Sequence, residues 1–292
     1  MPNRKTRNIE RNPIMEITAK QVKELRDATN VSMMECKRAL QETSGDLEAA
    51  IKKLRERGAA VAAKRADRDA KEGKITAVVT EDLQRAAMIE VNCETDFVTR
   101  NEGFQSFVDA LLGRALDYET GAMEEAVKAE VAEKIAAIGE KIQLRRNVTW
   151  TATAPGMIAS YVHLGGKVGV FVEMGCEKTE SVNSPVLAEL AKDITLHVAA
   201  AAPQYLCREE VPAAEIEAER EIYAKQVEGK PANIIDNIVN GKVNKFFSQI
   251  CLLEQGFVKD DKISITALVE AKNKELGDKI SIRRYLRWQL GA

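Results

Sequence analysis

Two histidines, His163 and His197, are all that 292 residues supply, too few for a metal cage or a Ser-His-Asp relay. Cysteine is sparse and never spaced as C-x-x-C. Cys36, Cys93, Cys176, Cys207 and Cys251 are odd in number and far apart, which suits reduced thiols in a cytosolic protein, each a small buried hydrophobe rather than a nucleophile. No charged-then-apolar leader and no run of 18 apolar residues is found. Secretion and membrane spanning are therefore not expected, and a cytoplasmic protein is. Positive charge is not in excess either. Lys plus Arg number 43 against 45 for Asp plus Glu, so no bulk field drives binding to nucleic-acid phosphates and a protein partner fits better. "HLGGKVG", from His163 to Gly169, resembles a phosphate loop but fails G-x-x-x-x-G-K-[ST], because Val168 follows Lys167. A hairpin turn is the better reading, and no cofactor or metal is expected.

What is present is the composition of a soluble globular chain, 45% hydrophobic and 30% charged, able to bury one sizeable core or several smaller ones. Residues 1–14, with Arg4, Lys5, Arg7 and Arg11 and no apolar period, read as a disordered basic arm, and Met15 is an alternative start. Residues 15–56 read as three short helices. Thr18 with Gln21 and Ser32 with Glu35 have capping-box spacing, and Asp46 can cap a third helix after the Ser44-Gly45 break. Val22, Leu25, Met34, Ala39, Leu40, Leu47, Ile51 and Leu54 supply a shared core for this unit, which is similar to a ubiquitin-associated (UBA) module. Met33 and Met34 cannot both easily face so small a core; one or both either form a sticky contact with a partner or simply pack in the core. The Ala-rich, charged stretch 57–72 reads as a linker.

The chain then repeats itself. "GKITAVV" from Gly73 and "GMIASYV" from Gly156 are 83 residues apart, and the same offset carries "IEVNCE" at Ile89 onto "VEMGCE" at Val172. Each alternating pair reads as a β-hairpin, followed by a helix: "FQSFVDALLGRAL" in one case and "VLAELAKDITLHVA" in the other. "KIQLRRNVTW" from Lys141 and "KISIRRYLRW" from Lys279 close the units at an offset of 138. The slip from 83 to 138 requires an insertion of 138 − 83 = 55 residues in the second unit. Ile216, Tyr223 and Val227 form one helical stripe, "EGKP" breaks it, and Ile235, Val239, Val243, Phe246 and Ile250 form another. The expected fold is α+β: two β-β-α-β subdomains, 73–152 and 153–292, the second carrying a helical hairpin at about 204–253. Such an arm docks on a partner or on a second copy of the chain, or is a merely decorative insertion.

The stretch "EVNCETDFVTRNEGF", Glu90 to Phe104, sets Asp96 and Phe97 where the strand must turn. A loop keeps apolar area out of water, so Phe97 is either a core residue or a wedge meant for something else. This stretch and "LRDATNVSMMECKRAL" resemble the two signature stretches of the bacterial elongation factor Ts family. The likeness runs from about Met15 to the end of the chain. Asn30 stands where the family usually has Gly, and Thr99 where it usually has Ala or Ser. Ala292 follows the last core strand directly; where the family's C-terminal helical module is absent, its grip has to come from elsewhere.

The resemblance implies a guanine-nucleotide exchange factor for elongation factor Tu that performs no covalent chemistry. Thr95, Asp96, Phe97 and Val98 would then press against the GTPase beside its Mg²⁺ and phosphate site, Phe97 entering an apolar crevice. Val31, Met33 and Met34 would touch its nucleotide domain, Ile138 and Gly139 would flank the wedge, and His163 would face another domain unless it is only a polar strand end. Two rivals are weaker. Glu90, Glu94 and Asp96 could serve a hydrolase as acid and base, though acids so close along a chain are more often a solvated edge. A ubiquitin-like adaptor would leave the repeated core and Phe97 unexplained.

Overall fold

The computed structural model describes residues 17–29, 31–227 and 231–292. The basic arm 1–14, Met15, Asn30 and the Glu228–Lys230 part of the "EGKP" break lie outside them. The first three helices are α1 (Ala19–Thr29), α2 (Met33–Glu42) and α3 (Leu47–Arg65). Thr18 and Gln21 cap reciprocally, the Thr18 N–H donating to Gln21 Oε1 at 3.0 Å and the Gln21 N–H to Thr18 Oγ1 at 3.2 Å. Ser32 Oγ accepts the Glu35 N–H, whereas the Glu35 carboxylate turns to Arg38 and Arg57, leaving that box half made. Asp46 Oδ1 accepts the Ala49 N–H at 3.0 Å. Val22, Leu25, Val31, Cys36, Ala39, Leu40, Ala50 and Leu54 form the core of this segment. Met34, expected there, is exposed. Cys36, Ala39 and Leu40, spaced i, i+3 and i+4, already occupy the inner stripe of α2, and Met34 lies two residues off it.

The first repeat runs β1 (Glu72–Val79), β2 (Arg85–Cys93), α4 (Asp96–Thr99), α5 (Glu102–Leu112), α6 (Met123–Ala126), α7 (Lys128–Ile138) and β3 (Ile142–Thr151), with sheet order β1-β2-β3. Helix α3 corrects the linker reading, since residues 57–65 are helical and only the remainder of 57–72 up to β1 is a connection. Alanine favours helix, and the added turns have a partner, because α3 packs against α7. At Gly58 a Cβ would come 3.1 Å from Ala136 Cβ and 3.2 Å from the Ala132 carbonyl oxygen; glycine permits that approach.

The second repeat runs β4 (Gly156–His163), β5 (Val168–Gly175), α8 (Pro185–Ala201), α9 (Ala213–Lys225), α10 (Ala232–Ile250), β6 (Gly256–Phe257), β7 (Asp260–Ser264), α11 (Ile265–Leu276) and β8 (Ser281–Gln289). Strands β4, β5 and β8 form an antiparallel sheet in that order, and β6 pairs with β7. "HLGGKVG" is the β4–β5 hairpin turn, His163 facing Val168. The fold is thus α+β with β-β-α-β-like repeats. Each repeat holds a longer helix that was not expected: α7 and α11 are related by the offset of 138 and end at left-handed glycines, Gly139 (φ 85°) and Gly277 (φ 62°). Neither has a broad apolar face, each burying only one or two side chains. The extra sequence of the second repeat therefore includes β6 and β7 as well as α9 and α10.

Two compact units emerge. One takes the chain to Gly73 together with Val91–Phe107 and Met123–Arg145; the other takes Lys74–Glu90, Val108–Ala122 and Arg146–Ala292. In the second, β5 is buried on both faces. Val170, Val172 and Met174 pack with Leu187, Leu190 and Ile194 of α8, while Phe171 packs with Ile75, Met88, Ile158 and Trp288. Helices α9 and α10 pack on each other through the anticipated stripes, Ile216, Tyr223 and Val227 against Ile235, Val239, Val243, Phe246 and Ile250.

The repeats also exchange polar contacts. Glu90, buried, accepts from Arg146 at 2.6 and 2.7 Å and from the Gly291 N–H at 2.9 Å; Arg146 donates to the Gln289 carbonyl and lies 4.3 Å from the centre of the Trp288 ring. Glu173, equally buried, accepts from Arg284 at 2.6 Å and the Thr153 N–H at 2.8 Å; Arg284 donates to the Thr151 carbonyl and lies 4.0 Å from the centre of the Trp150 ring. Every partner in one set maps onto the other by the offset of 83 or 138. Burial works to raise the Glu173 pKa, but the Thr153 N–H and Arg284 prevail and hold it below the usual carboxylate range.

Candidate partner-binding site

The turn after β2 is a single helical turn, α4, in which neighbouring side chains point about 100° apart. Val98 is consequently buried while Phe97, beside it, is 77% exposed, the most exposed of the large hydrophobic side chains described. The turn is held from below. Glu140, just past Gly139, accepts the Thr95 N–H at 3.0 Å and the Thr95 hydroxyl at 2.8 Å. Thr99 Oγ1 donates to the Asp96 carbonyl at 2.6 Å, and Asn101 Oδ1 caps α5 through the Phe104 N–H. Phe104 and Phe107 carry the apolar load of α5, both buried. Phe97 is thus an aromatic presented to water on an anchored backbone.

The second repeat supplies an internal control. Asp278, which maps onto Glu140, accepts the Glu177 and Lys178 N–H groups at 3.3 and 3.2 Å. Cys93 donates to the Thr95 carbonyl and Cys176 to the Lys178 carbonyl in the same way. At the tip of that corner, Thr179 and Glu180 stand where Asp96 and Phe97 stand in the first. The corner folds without an aromatic, so the fold itself does not require Phe97.

The three acids of the turn have separate partners. Glu90 is sequestered with Arg146. Glu94 accepts the Lys141 N–H at 2.6 Å and pairs with Arg68 and Arg65, which together hold its pKa below the usual carboxylate range. Asp96 pairs with Arg100 at 3.2 Å on the surface, an exposed contact worth little and readily exchanged. Acids dispersed in this way are not an acid–base pair. Among the described residues no three His, Cys, Asp or Glu side chains gather as metal ligands would, and no helix is long and apolar enough to cross a membrane. Among the described residues no two cysteines are joined in a disulfide.

The first unit contains most of the sequence-derived candidates: Val31, Met33, Met34, Thr95–Val98, Ile138 and Gly139. Met33 and Met34 are 50% and 72% exposed, whereas Val31 is buried in the helical core and Ile138 is half-buried. His163 belongs to the second unit, exposed at the end of β4 and hydrogen-bonded through Nδ1 to the Tyr161 hydroxyl at 2.7 Å. Glu140 escaped the sequence reading. The Gly139-Glu140 pair itself was the only local signal, and an acid there reads as solvated.

A sequence model of the family described as Elongation factor TS matches residues 94–292. The chain belongs to the elongation factor Ts family. Elongation factor Ts of Trichlorobacter lovleyi is 44% identical over 95% of this chain and 93% of its own length. Those of Nitratiruptor sp. and Clostridium perfringens are 44% and 42% identical, covering 95% and 94% of this chain and 94% and 93% of their own lengths. As an elongation factor Ts family member the chain matches its relatives across both repeats and the three N-terminal helices.

Proposed function

We propose that this elongation factor Ts family member is a cytoplasmic guanine-nucleotide exchange factor that binds elongation factor Tu during translation elongation and promotes GDP release. Phe97 enters an apolar crevice of the GTPase beside its Mg²⁺ and phosphate site, and Asp96 accompanies it. The observation that carries this reading is an exposed phenylalanine on a clamped turn whose counterpart in the second repeat lacks one. Burying a Phe side chain stabilises the bound state by roughly 1.5–3 kcal/mol, enough to favour a GTPase conformation with displaced metal and phosphate ligands. Coupling is reciprocal, so nucleotide weakens the factor's own binding and GTP can eject it. No step is covalent.

Met33 and Met34 make a second contact from the UBA-like helices 15–56, with Val31 supporting them from the core. Val98 likewise anchors the wedge from beneath, Ile138 and Gly139 flank it, and His163 adds a contact from the second subdomain. The subdomains are 73–152 and 153–292, and α9 with α10 form a coiled-coil arm that docks on a partner or a second copy. The reading involves neither nucleic acid nor membrane.

Release of a fluorescent GDP analogue from elongation factor Tu tests the proposal. Acceleration by the wild-type chain, together with a stable complex with nucleotide-free elongation factor Tu, is expected. Unaltered release and no complex would overturn it, and binding to ubiquitin instead would favour the adaptor reading.

A further inference from the structure

The first unit contains a cleft of ≈ 250 Å³ walled by α3, α7, the end of α1 and Phe107 of α5. Val31, Ile51, Leu54 and Phe107 give it apolar walls, and Lys134 of α7 lies alongside them. Lys134 is half-buried, its ammonium 5.3 Å from the centre of the Phe107 ring. Its neighbour Glu133 pairs with Arg55 at 2.7 Å, and Glu130 has an interaction of its own. Among the described residues Lys134 forms no ion pair; the ring face is its one direct partner. Burial accordingly pushes its pKa below the ordinary lysine range, with the Glu133 charge only partly opposing.

A half-buried cation that forms no ion pair, beside a cleft lined by apolar side chains as well as by Thr29, Arg55, Glu130 and Glu133, is a site lacking one component. We infer that the cleft binds a small amphiphilic carboxylate, its apolar body against Val31, Leu54 and Phe107 and its carboxylate on the Lys134 ammonium. The volume suits an aromatic or short aliphatic acid, since about 150 Å³ already admits benzene. A ligand so placed touches α3 and α7 together, and α7 leads through Gly139 into Glu140, the clamp on Thr95. Occupancy would therefore couple the N-terminal helices to the turn bearing Phe97. The inference stands on the cleft alone and is independent of the exchange reading.

The test uses the full chain with octanoate and benzoate as probes and octanol and octylamine as comparison compounds, read by calorimetry and saturation-transfer NMR. Octanoate should bind at about 1 mM or tighter and octylamine at least about tenfold more weakly. Lys134→Gln should weaken octanoate at least about tenfold while leaving octanol unchanged. Ala137→Phe, which fills the cleft, should weaken both, with circular dichroism melts verifying that each variant is folded. Equal affinity for octanoate and octylamine, octanoate binding undiminished in either variant, or no octanoate binding in the millimolar range would each overturn the assignment.

Discussion

Phe97→Ala separates the proposed use of the exposed ring from the stability of the chain that carries it. With 77% of the residue available to a partner, full burial at roughly 1.5–3 kcal/mol leaves about 1.2–2.3 kcal/mol to be lost from the exchange-competent complex. At 1.36 kcal/mol per decade, catalysed GDP release should slow by about 7- to 50-fold. The remaining coverage in the free chain corresponds to only about 0.3–0.7 kcal/mol, a change of roughly 1–3 °C in Tm for a protein of this size. The assay is stopped-flow release at several Mg²⁺ concentrations, alongside calorimetric melts and capture by nucleotide-free elongation factor Tu, which should persist in weakened form. Release at the parental rate would refute the wedge. A fall in Tm of ten degrees or so would assign Phe97 to the core instead.

Glu140→Ala removes both acceptors from Thr95, so release should slow by up to about tenfold although no partner contact is deleted, while Thr95→Val should reproduce part of the loss. Met33→Asp combined with Met34→Asp should weaken the complex with elongation factor Tu and leave the helical circular dichroism intact; unchanged affinity would remove both from the interface. Glu90→Gln and Glu173→Gln should each cost about 1–3 kcal/mol and match within about 1 kcal/mol, measured by urea unfolding, because their partners are equivalent. His197 is buried, accepts the Val258 N–H on Nδ1 at 3.3 Å and meets Gln255 Oε1 through Nε2 at 2.9 Å, and burial lowers its pKa below 6.5. The unfolded chain then takes up the proton first: this contribution is complete above pH 6.5 and is lost as pH falls from 6.5 through the folded value, by at most about 1.4 kcal/mol per pH unit. Urea melts between pH 7.5 and 5 should show that slope, and His197→Gln should flatten it.

Features that recur locally along the chain were legible in it. The caps at Thr18 and Asp46 depend on residues three positions away, and the offsets of 83 and 138 predicted which strands correspond; the structure adds bonds that obey the same offset, Ile75 N–H to the Gly166 carbonyl and Ile158 N–H to the Leu83 carbonyl. Where a role depends on a distant partner, the sequence was silent. Residues 57–65 look like linker until Ala132 and Ala136 of α7 are set against Gly58. Glu140 looks like a surface acid until the chain returns it to Thr95. Thr95, Asp96, Phe97 and Val98 stand together in the sequence, yet only geometry divides them into an anchored residue, a half-buried acid, an exposed ring and a buried foot.

The reciprocal Glu90–Arg146–Trp288 and Glu173–Arg284–Trp150 sets have the form of an isologous interface, the kind that joins two identical subunits about a twofold axis. A single repeat closing on a copy of itself would make both sets at once, so gene duplication and fusion could turn a homodimer into one chain without inventing a contact. Fusion also frees the two halves from identity. Residues of the shared lattice stay bound to their counterparts, because a change on one side strands a buried charge on the other. The corner tips answer to no such constraint, and there the halves have parted: Asp96-Phe97 on one, Thr179-Glu180 on the other. A symmetric dimer would carry the same corner tip twice; the fused chain carries Asp96-Phe97 once.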